Sequence, residues 1–588
     1  MPAWLIALDR HFPIRYLPLL TAALMLGLGL YLWLGAGHGP WLAALGAVGL
    51  VQGLRDLRQT RHALLRNYPV IGHLRFLFEW IRPEIRQYFL ESDGEAVPFS
   101  RQQRSLVYQR SKAESDKRPF GTQKNVLEPG YEWINHSLQP STIASHDFRV
   151  TIGAGPGSRC TQPYSASLFN ISAMSFGALS ANAIRALNGG AKRGGFAHDT
   201  GEGSISAHHR ANGGDLIWEI GSGYFGCRND DGSFNADNFQ ANARDPQVKL
   251  IELKLSQGAK PGHGGVLPGP KVSIEIAAAR GVPVGVDCVS PAAHSAFATP
   301  VEMLRFLARL RTLSGGKPVG FKLCIGHPWE WFALAKAMIE TDLLPDFIVV
   351  DGAEGGTGAA PVEFTDHVGA PMQEGLRLVH NTLVGLNLRH RVRIGCAGKI
   401  VSAFDIARAM AQGADWCNSA RGFMFSLGCI QAQHCHTGAC PTGVATQDPL
   451  RQQALVVADK ISRVANFHNH TLAALRELVQ AAGLTHPNQI SAAHIVRRTA
   501  DQEVRLLATL MLTVAPGSLL AAERGDAPWP HPVFSLYWPL ARSGSFQPVR
   551  SDSLQPGRGE SEHPTRDLAV EAVRRAVSQA ALAAEAQL

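Results

Sequence analysis

The chain has 588 residues, a formal net charge of +8 and 18% charged residues. Its length suits either more than one ordinary domain or one large barrel with additions. The positive charge is modest and is not clustered among aromatic residues, which argues against a nucleic-acid partner. The nine cysteines are an odd number without an even framework, which argues against a disulfide scaffold and favours a reducing compartment.

Two apolar segments, about 16–36 and 37–54, lie within a predicted N-terminal membrane domain, 1–66. The first segment has no charged residue, and about 20 such residues can cross a bilayer as a helix. The second is rich in Gly and Ala and can pack closely against the first. Arginines flank the pair, at positions 10 and 15 before it and 55 and 58 after it, which predicts that both ends are cytoplasmic. We expect a multi-pass protein of the inner membrane with its catalytic domain in the cytoplasm. A buried hairpin in a soluble protein is the alternative.

The other segments outside the central domain are less regular. Residues 67–150 are predicted to form one or two amphipathic helices and an irregular connector, whose aromatic side chains contact either the membrane interface or, as we favour, the main domain. Residues 449–512 are predicted to form three helices. Residues 513–588 are predicted to form a Pro-rich tail and a terminal helix.

Between residues 151 and 448, short apolar runs alternate with amphipathic helices. Eight runs are predicted strands: LFNISAMS, DLIWEIGSG, VKLIELKLS, VGVDCVS, PVGFKLCIG, DFIVVDG, RIGCAGK and DWCNSARGF. Ser180 is the candidate N-cap of the helix after the first run. Eight strand–helix units over about 250 residues predict an α/β fold of the (β/α)₈ TIM-barrel type. A doubly wound open sheet is the alternative, although no strand is followed by a G-x-G-x-x-G helix start.

The loop 426–447 contains three cysteines, Cys429, Cys435 and Cys440, with the spacing C-x5-C-x4-C. Three thiolates on one short loop can converge on an inorganic cluster, and a proline follows the last cysteine as it does in one common iron–sulfur sequence. A zinc site that uses His434 or His436 as a further ligand is an alternative. Three ordinary buried cysteines are the remaining possibility.

Several loops after predicted strands suit a phosphate group. Gly356 and Thr357 follow DFIVVDG, Gly398 and Lys399 follow RIGC, and Gly422 follows Arg421 after the last strand. Glycines expose backbone N–H groups, and late barrel loops with a nearby cation commonly bind phosphate on this fold. A glycine in such a loop can also be an ordinary turn residue, but the set together favours a phosphate-bearing cofactor.

Charged residues in and after other strands suggest a substrate site. Lys322 lies inside the strand FKLC, where a buried ammonium needs a negative partner such as a reduced flavin unless it snorkels to the barrel end. Lys254, Lys260, His263 and Arg280 are cationic or polar positions in and after VKLIELKLS, and they predict an anionic substrate such as a dicarboxylate unless they are solvated surface residues. Glu202 lies between glycines after an early strand and is a candidate acid or base.

From about residue 168 to 451, the sequence resembles the FMN-binding synthase domain of glutamate synthases. The matching segments are ISAMSFGALS (171–180), TGEG (200–203), SGYFG (222–226), QGAKPG (257–262), LPGPKV (267–272), GGTGA (355–359) and CHTGACPTGVATQ (435–447). The resemblance implies a TIM barrel with FMN and a 3Fe–4S cluster. It also implies electron transfer from the cluster to FMN and reduction of 2-iminoglutarate formed from 2-oxoglutarate and ammonia.

The resemblance also implies roles for individual residues. The three cysteines of the loop would bind the cluster, and three ligands suit a three-iron cluster. Ala173, Met174 and Ser175 would line the flavin, and Lys322 would lie at its N1/O2 edge. The glycines at 356, 398 and 422 would contact its phosphate. Lys260 and Arg280 would bind the carboxylates of the keto acid, with Glu202 nearby.

The sequence departs from the family at three places. An apolar hairpin stands where the large enzymes have a glutaminase domain, so we expect ammonia, or nitrogen from another subunit, as the source. His263 replaces a glutamate, and Val266 replaces a glutamine near the substrate, which can alter substrate discrimination. Ser204 replaces a glycine. The sequence most resembles stand-alone, membrane-attached glutamate synthase-like proteins.

Three functions remain open from the sequence. The first is glutamate synthesis with electrons from ferredoxin or a separate reductase subunit, because no NAD-binding segment is visible. The second is a membrane-attached FMN and iron–sulfur dehydrogenase that oxidises an amine or hydroxy acid and reduces a quinone or carrier. The third, a non-catalytic electron carrier, is disfavoured because a carrier needs no substrate pocket.

Overall fold

The computed structural model describes residues 14–59, 62–92, 94–95 and 98–549. The chain divides into two units, Met1–Gln102 and Gln103–Leu588. The predicted terminal helix near residues 567–586 lies outside the described residues.

The N-terminal unit contains a hairpin of two helices, Leu17–Ala36 and Pro40–Arg58. Gly37 and Gly39 both have positive φ in the turn, at 70° and 96°, a conformation that glycine adopts without steric cost. A Cβ atom at Gly29 or Gly46 would collide with the backbone of the opposite helix, so small residues permit the close packing. Among the described residues, only Leu17–Ala36 is long and apolar enough to cross a membrane.

Two further helices follow in this unit, Ala63–Asn67 and Gly72–Ile85, and a π-helical turn continues the second over Arg86–Leu90. The buried Asp56 carboxylate accepts hydrogen bonds from the Val70 N–H and the Gln52 side chain, each at 2.9 Å, and lies 2.9 Å from His73 Nε2. These contacts hold the start of the helix Gly72–Ile85 against the end of the hairpin.

The second unit is built around a closed barrel of eight parallel strands, which confirms the predicted fold. The strands are β1 (Phe169–Ile171), β2 (His198–Asp199), β3 (Leu216–Ile220), β4 (Val248–Lys254), β5 (Val319–Leu323), β6 (Phe347–Asp351), β7 (Arg393–Ala397) and β8 (Trp416–Ser419). Each strand pairs with its sequence neighbours, and β8 pairs with β1 to close the barrel. All carboxyl ends therefore share one rim, where catalytic residues lie on this fold.

One predicted barrel strand was wrong. VGVDCVS does not join the barrel; only Cys288–Val289 is extended there, and it pairs antiparallel with Val266–Leu267 in a separate two-stranded sheet. The missing strand is β2, which has two residues, pairs with β1 and β3, and was not predicted. A strand of that length carries no hydrophobic alternation, so periodicity alone cannot detect it.

Helices cover the outside of the barrel. Ser180 caps the first of them, Ala181–Gly194, by accepting a hydrogen bond from the Ala183 N–H at 3.2 Å, as predicted. The other helices between β1 and the cysteine loop are Ala207–Arg210, Ala236–Ala243, Ile274–Arg280, Pro300–Leu313, Pro328–Thr341, Val362–His367, Met372–Gly385, Ala403–Ala411 and Arg421–Leu427.

The segments before and after the barrel contain strands as well as the predicted helices. A helix, Arg101–Ser111, and two antiparallel strands, Arg149–Ile152 and Tyr164–Ser167, precede β1. Residues 449–512 contain the helices Pro449–Gln453, Val457–Ala481 and Leu507–Leu510, but also the strands Ile495–Arg498 and Val504–Leu506. The first of these strands pairs with Glu132–Ile134, so the segment contains two strands that were not predicted besides its three helices. Short helices follow at Ser518–Glu523 and Pro532–Tyr537.

Candidate active site

The candidate site occupies the carboxyl-end rim of the barrel. Ala173, Met174 and Ser175 follow β1, Glu202 follows β2, and Lys254 ends β4. Residues 255–299 form a long excursion between β4 and the helix before β5, and this excursion carries Lys260, His263 and Arg280. Consecutive parallel strands place these loops side by side on one rim, as predicted.

An ion pair forms the centre of the site. Glu202 Oε1 lies 3.0 Å from Lys254 Nζ. A Cβ atom at Gly221 would lie 2.7 Å from Glu202 Oε2, and one at Gly265 would collide with Oε1, so two glycines leave room for the carboxylate. Burial acts to raise the pKa of Glu202, but Lys254, Arg280 and Lys260 hold it below its usual value. Glu202 is therefore an ionised carboxylate at neutral pH.

Two further cations stand beside this pair. Lys260 is 2% exposed, and its Nζ has no hydrogen-bond partner among the described residues. Arg280 donates from Nη2 to the Phe176 carbonyl at 3.2 Å and to Ser175 Oγ at 3.5 Å, and its Nε has no partner in the same part of the chain. Because an unpaired buried cation is costly, this arrangement suits an anionic ligand.

His263 is oriented differently from the other predicted substrate residues. Its ring packs edge-on against Phe364 at 5.3 Å, and its Nδ1 lies 2.8 Å from the Gly264 carbonyl oxygen. Val266 begins the short strand that pairs with Val289. The His263 side chain thus contacts the loop after β6 rather than the ion pair of Glu202 and Lys254.

The predicted phosphate loops follow β6, β7 and β8, which are neighbours in the barrel. Arg421 Nη2 donates to the Gly356 carbonyl at 3.1 Å, which joins the first loop to the last. A Cβ atom at Gly356 would meet only the Arg421 guanidinium, at 3.3 Å, so this backbone is open to a ligand. Gly398 is packed against Met372, while Thr357 and Lys399 are exposed.

The cysteine loop is bound to the loop after β1. Gln447 Nε2 donates to the carbonyls of Gly177 and Leu179 at 3.1 and 3.0 Å. Ser180 Oγ donates to the Gly443 carbonyl at 2.7 Å. These bonds hold the end of the cysteine loop beside the segment that contains Ala173, Met174 and Ser175.

The three cysteines of the loop differ in their surroundings. Cys429 and Cys440 are buried, and Cys435 is half-buried. The pKa of the Cys429 thiol is raised to about 11, chiefly by burial and also by the nearby thiols of Cys435 and Cys440, against the opposing effects of the Gln431 N–H and Arg421. Burial also acts on Cys440, but N–H groups of Ala445, Thr442 and Val444 hold its pKa below the usual value. N–H donors around a sulfur favour the thiolate, the form that binds metal.

The sulfur positions argue against the zinc alternative. Ligands of one tetrahedral zinc ion, each about 2.0–2.3 Å from the metal, lie within about 4 Å of one another. Among the described residues, the only group of three His, Cys, Asp or Glu ligand atoms within 4.8 Å of one another is Asp199, Glu219 and Glu252. The three cysteines are therefore spaced more widely than a single zinc ion requires.

Lys322 meets negative partners inside the barrel. Its Nζ forms an ion pair with Glu219 and lies 3.4 Å from Glu252 Oε1. Sequence reasoning found Lys322 but missed both glutamates and Asp199. The same signal was present for them, because each is a charged residue inside a buried strand.

Comparison with known proteins identifies the family of this chain. A family model described as a conserved region in glutamate synthase matches residues 145–485. A glutamate synthase large subunit-like protein, YerD of Bacillus subtilis, is 39% identical over 488 residues, which cover 77% of this chain and 93% of YerD. The chain belongs to the glutamate synthase family. It is thereby an oxidoreductase of the class that acts on CH–NH₂ donors.

Other relatives match a smaller share of their own length. An archaeal-type glutamate synthase [NADPH] of Thermotoga maritima is 34% identical over 313 residues, which cover 53% of this chain and 58% of that protein. Among solved structures, a flavocytochrome b2 variant with pyruvate bound aligns with a TM-score of 0.38 at 10% identity, over 77% of this chain and 92% of the other. That similarity is too low to inform function.

Proposed function

We propose that this chain is a glutamate synthase-like flavin and iron–sulfur oxidoreductase. It reduces 2-iminoglutarate, formed from 2-oxoglutarate and ammonia, with electrons from ferredoxin or a separate reductase subunit. One observation carries the proposal. Lys254, Lys260 and Arg280 surround the single carboxylate of Glu202, so the pocket has a formal charge of +2, which a dicarboxylate neutralises.

The donor groups fit FMN. Gly356 presents open backbone beside Arg421, and Lys399 follows the next strand, so these loops carry two cations of the kind that binds phosphate. Met174 and Ser175 lie against Gly201, where a Cβ atom would be 2.8 Å from the Ser175 nitrogen. FMN, when bound, supplies a hydride to the carbon of the C=N bond.

The cysteine loop fits a 3Fe–4S cluster. Cys429, Cys435 and Cys440 supply three thiolates, and a four-iron cluster normally takes four cysteines. The hydrogen bonds of Ser180 and Gln447 hold this loop against the segment proposed to line the flavin, which suits electron transfer between the two groups.

The protein residues bind and orient the substrate. Lys260 and Arg280 pair with the two carboxylates of the keto acid. Glu202, kept ionised by its cationic neighbours, accepts a hydrogen bond from the protonated imine nitrogen. Positive charge on that nitrogen makes the carbon a better hydride acceptor, so an ionised Glu202 favours the reaction.

The test uses the full chain purified in detergent. We expect flavin, iron and acid-labile sulfide in the protein, and glutamate formation from 2-oxoglutarate and ammonium with reduced ferredoxin or a reduced dye. Lys260→Ala should lose at least tenfold in kcat/KM, whereas Lys192→Ala, an exposed control, should retain full activity. Failure to form glutamate with any donor would reject the proposal.

A second function is favoured by the apolar helix Leu17–Ala36. A membrane-attached dehydrogenase could oxidise an amine or hydroxy acid at the same rim and reduce a quinone. Reduction of a soluble quinone analogue by amines or hydroxy acids, without glutamate synthesis, would select this alternative.

We propose further that the N-terminal unit attaches the protein to the inner membrane with the barrel in the cytoplasm. Leu24, Leu34 and Trp41 are 72%, 83% and 80% exposed, which is unfavourable in water but suits contact with lipid. Phe78 and Trp80 on the helix Gly72–Ile85 are also exposed, and aromatic side chains are enriched at the membrane interface.

A further inference from the structure

The interior of the barrel contains an unusual group of ionisable side chains. Asp199 on β2, Glu219 on β3 and Glu252 on β4 place one oxygen each within 4.8 Å of one another, and all three residues are buried. Among the residues that the structure describes, Lys322 on β5 is the one ammonium that contacts this group. Three carboxylates against one ammonium would leave two uncompensated negative charges in a buried space, which is strongly unfavourable.

The neighbouring charged groups are already engaged. Lys254, the next inward residue on β4, pairs with Glu202. Asp351 on β6 accepts a hydrogen bond from the Gly258 N–H at 2.9 Å. Lys260 stands beside Glu202 at the rim. Lys322 is therefore the cation in direct contact with the interior carboxylates, while Lys254 acts on Asp199 and Glu252 from a greater distance and lowers their pKa.

Some of the buried carboxylate oxygens in this group lack a hydrogen bond. Asp199 Oδ1 accepts from the Gly201 N–H at 3.0 Å. Asp199 Oδ2 and both oxygens of Glu252 have no hydrogen-bond partner among the described residues, although all three atoms are buried. Two carboxylates that face each other are both acceptors, so neither can satisfy the other unless one carries a proton.

We propose that Asp199 and Glu252 share one proton at neutral pH, which makes the barrel interior a proton-binding site beneath the active-site rim. The proton turns one of the two unpartnered carboxyls into a donor for the other and removes one negative charge from the surroundings of Lys322. Two such groups titrate as a pair rather than singly.

The electrostatic surroundings agree with this geometry. Burial, followed by the charges of Asp199 and Asp351, raises the pKa of Glu252 well above its usual value. Burial also raises the pKa of Asp199, against the opposing effect of Lys322. The folded protein therefore binds the proton at a pH where the unfolded chain has released it.

The site has a role that rests on the proposed function. Lys322 is expected at the N1/O2 edge of FMN, where a positive charge stabilises the reduced cofactor. With the proton in place, Glu219 is the main negative partner of Lys322, and the ammonium keeps more of its charge for the cofactor. Asp199 and Glu252 are thus positioning residues that act through Lys322.

Infrared difference spectroscopy tests the site without any activity assay. Wild-type protein minus Glu252→Gln should show the C=O band of a protonated carboxylic acid, shifted on exchange into D₂O. Asp199→Asn should remove the same band, whereas Glu219→Gln, which alters the carboxylate held by Lys322, should retain it. Absence of an acid band from the H₂O-minus-D₂O difference spectrum of wild-type protein at neutral pH would overturn the proposal, and this spectrum needs no variant.

A second measurement distinguishes the proton from a bound cation. Stability of the wild type should fall as pH rises from about 4.3, the ordinary glutamate pKa, through the raised pKa of the pair, because the folded state binds more protons. Glu252→Gln should flatten this profile, since glutamine mimics the protonated acid. One equivalent of a divalent metal ion that a chelator removes, with no acid band, would also reject the proposal. Neither outcome depends on glutamate synthesis.

Discussion

At the scale of single residues, the charged side chains at the candidate active-site rim neutralise one another. Glu202 is ionised because three cations surround it, and Lys254 is tolerated in its buried position because Glu202 neutralises it. Lys260 is the exception, since its buried Nζ has no partner in the described part of the chain. Glu202 and Lys254 therefore pair with each other, whereas Lys260 is the residue proposed to bind the ligand.

Glu202→Gln should lower kcat/KM by about tenfold or more, because removal of one partner of a buried ion pair leaves the other charge uncompensated.

The pH dependence of stability gives a further check on the ion pair of Glu202 and Lys254. The pKa of Glu202 is lowered on folding, so its stabilising effect is present above the unfolded-state value of about 4.3 and is lost as pH falls through the folded-state value. Thermal unfolding of wild type and variant should therefore converge in acid and differ at neutral pH. Equal stability at pH 7 would contradict the ion pair.

Gly398→Ala should destabilise the protein, because the added Cβ would lie 2.6 Å from both Met372 Cβ and Glu354 Oε1. Overpacking of this kind costs about 1–3 kcal/mol. Gly326→Ala is the matched control, since a Cβ atom there meets nothing within 4 Å. Thermal unfolding measures both, and an unchanged midpoint for Gly398→Ala would show that this loop adjusts freely.

At the scale of elements, prediction of the barrel strands succeeded for the longer strands and missed one strand of two residues. β3 to β8 are four to seven residues long and were found from the sequence. β2 consists of His198 and Asp199 and is held in place by its neighbours, whereas VGVDCVS has the pattern of a strand but lies in the excursion after β4. The hydrophobic pattern alone cannot tell which extended segment will pair with the barrel strands.

The cysteine loop is an element whose role can be tested by composition. Cys435→Ser should reduce iron and acid-labile sulfide to near zero and leave bound flavin unchanged, because the flavin is held by other loops. Cys160→Ser is the control, since Cys160 lies outside the loop. This variant should keep its iron, acid-labile sulfide and flavin. Iron content that survives in Cys435→Ser would contradict its assignment as a ligand.

At the scale of the whole molecule, the positions of the candidate site residues followed from the fold, and their partners did not. Knowledge of the barrel was enough to place Glu202, Lys254 and the glycine loops on one rim. The pairing of Glu132–Ile134 with Ile495–Arg498 joins segments about 360 residues apart, and a single sequence gives no local signal for such a non-local contact. The interior contacts of Lys322 with Glu219 and Glu252 have the same long-range origin.

The proposed membrane attachment concerns the whole chain and can be tested at the helix Leu17–Ala36. Replacement of both Leu24 and Leu28 by Glu should move the protein from the membrane fraction to the soluble fraction, because both side chains are exposed on the apolar helix and charge within a bilayer costs several kcal/mol. Leu138→Glu, at a 94% exposed position of the second unit, should leave the distribution unchanged. Alkaline carbonate extraction measures the result, and a double variant that stays in the membrane would contradict an anchor at this helix.

The excursion between β4 and β5 has a consequence for how this enzyme can diverge. It carries Lys260, His263, Val266 and Arg280 on one continuous stretch of chain, while the loops proposed for the phosphate follow β6, β7 and β8. Exchange of this stretch alone would replace Lys260 and Arg280, which are proposed to bind the substrate, and would leave the loops proposed for the cofactor unchanged. If those proposals hold, substrate preference can change through replacement of one continuous segment while the proposed cofactor site is kept.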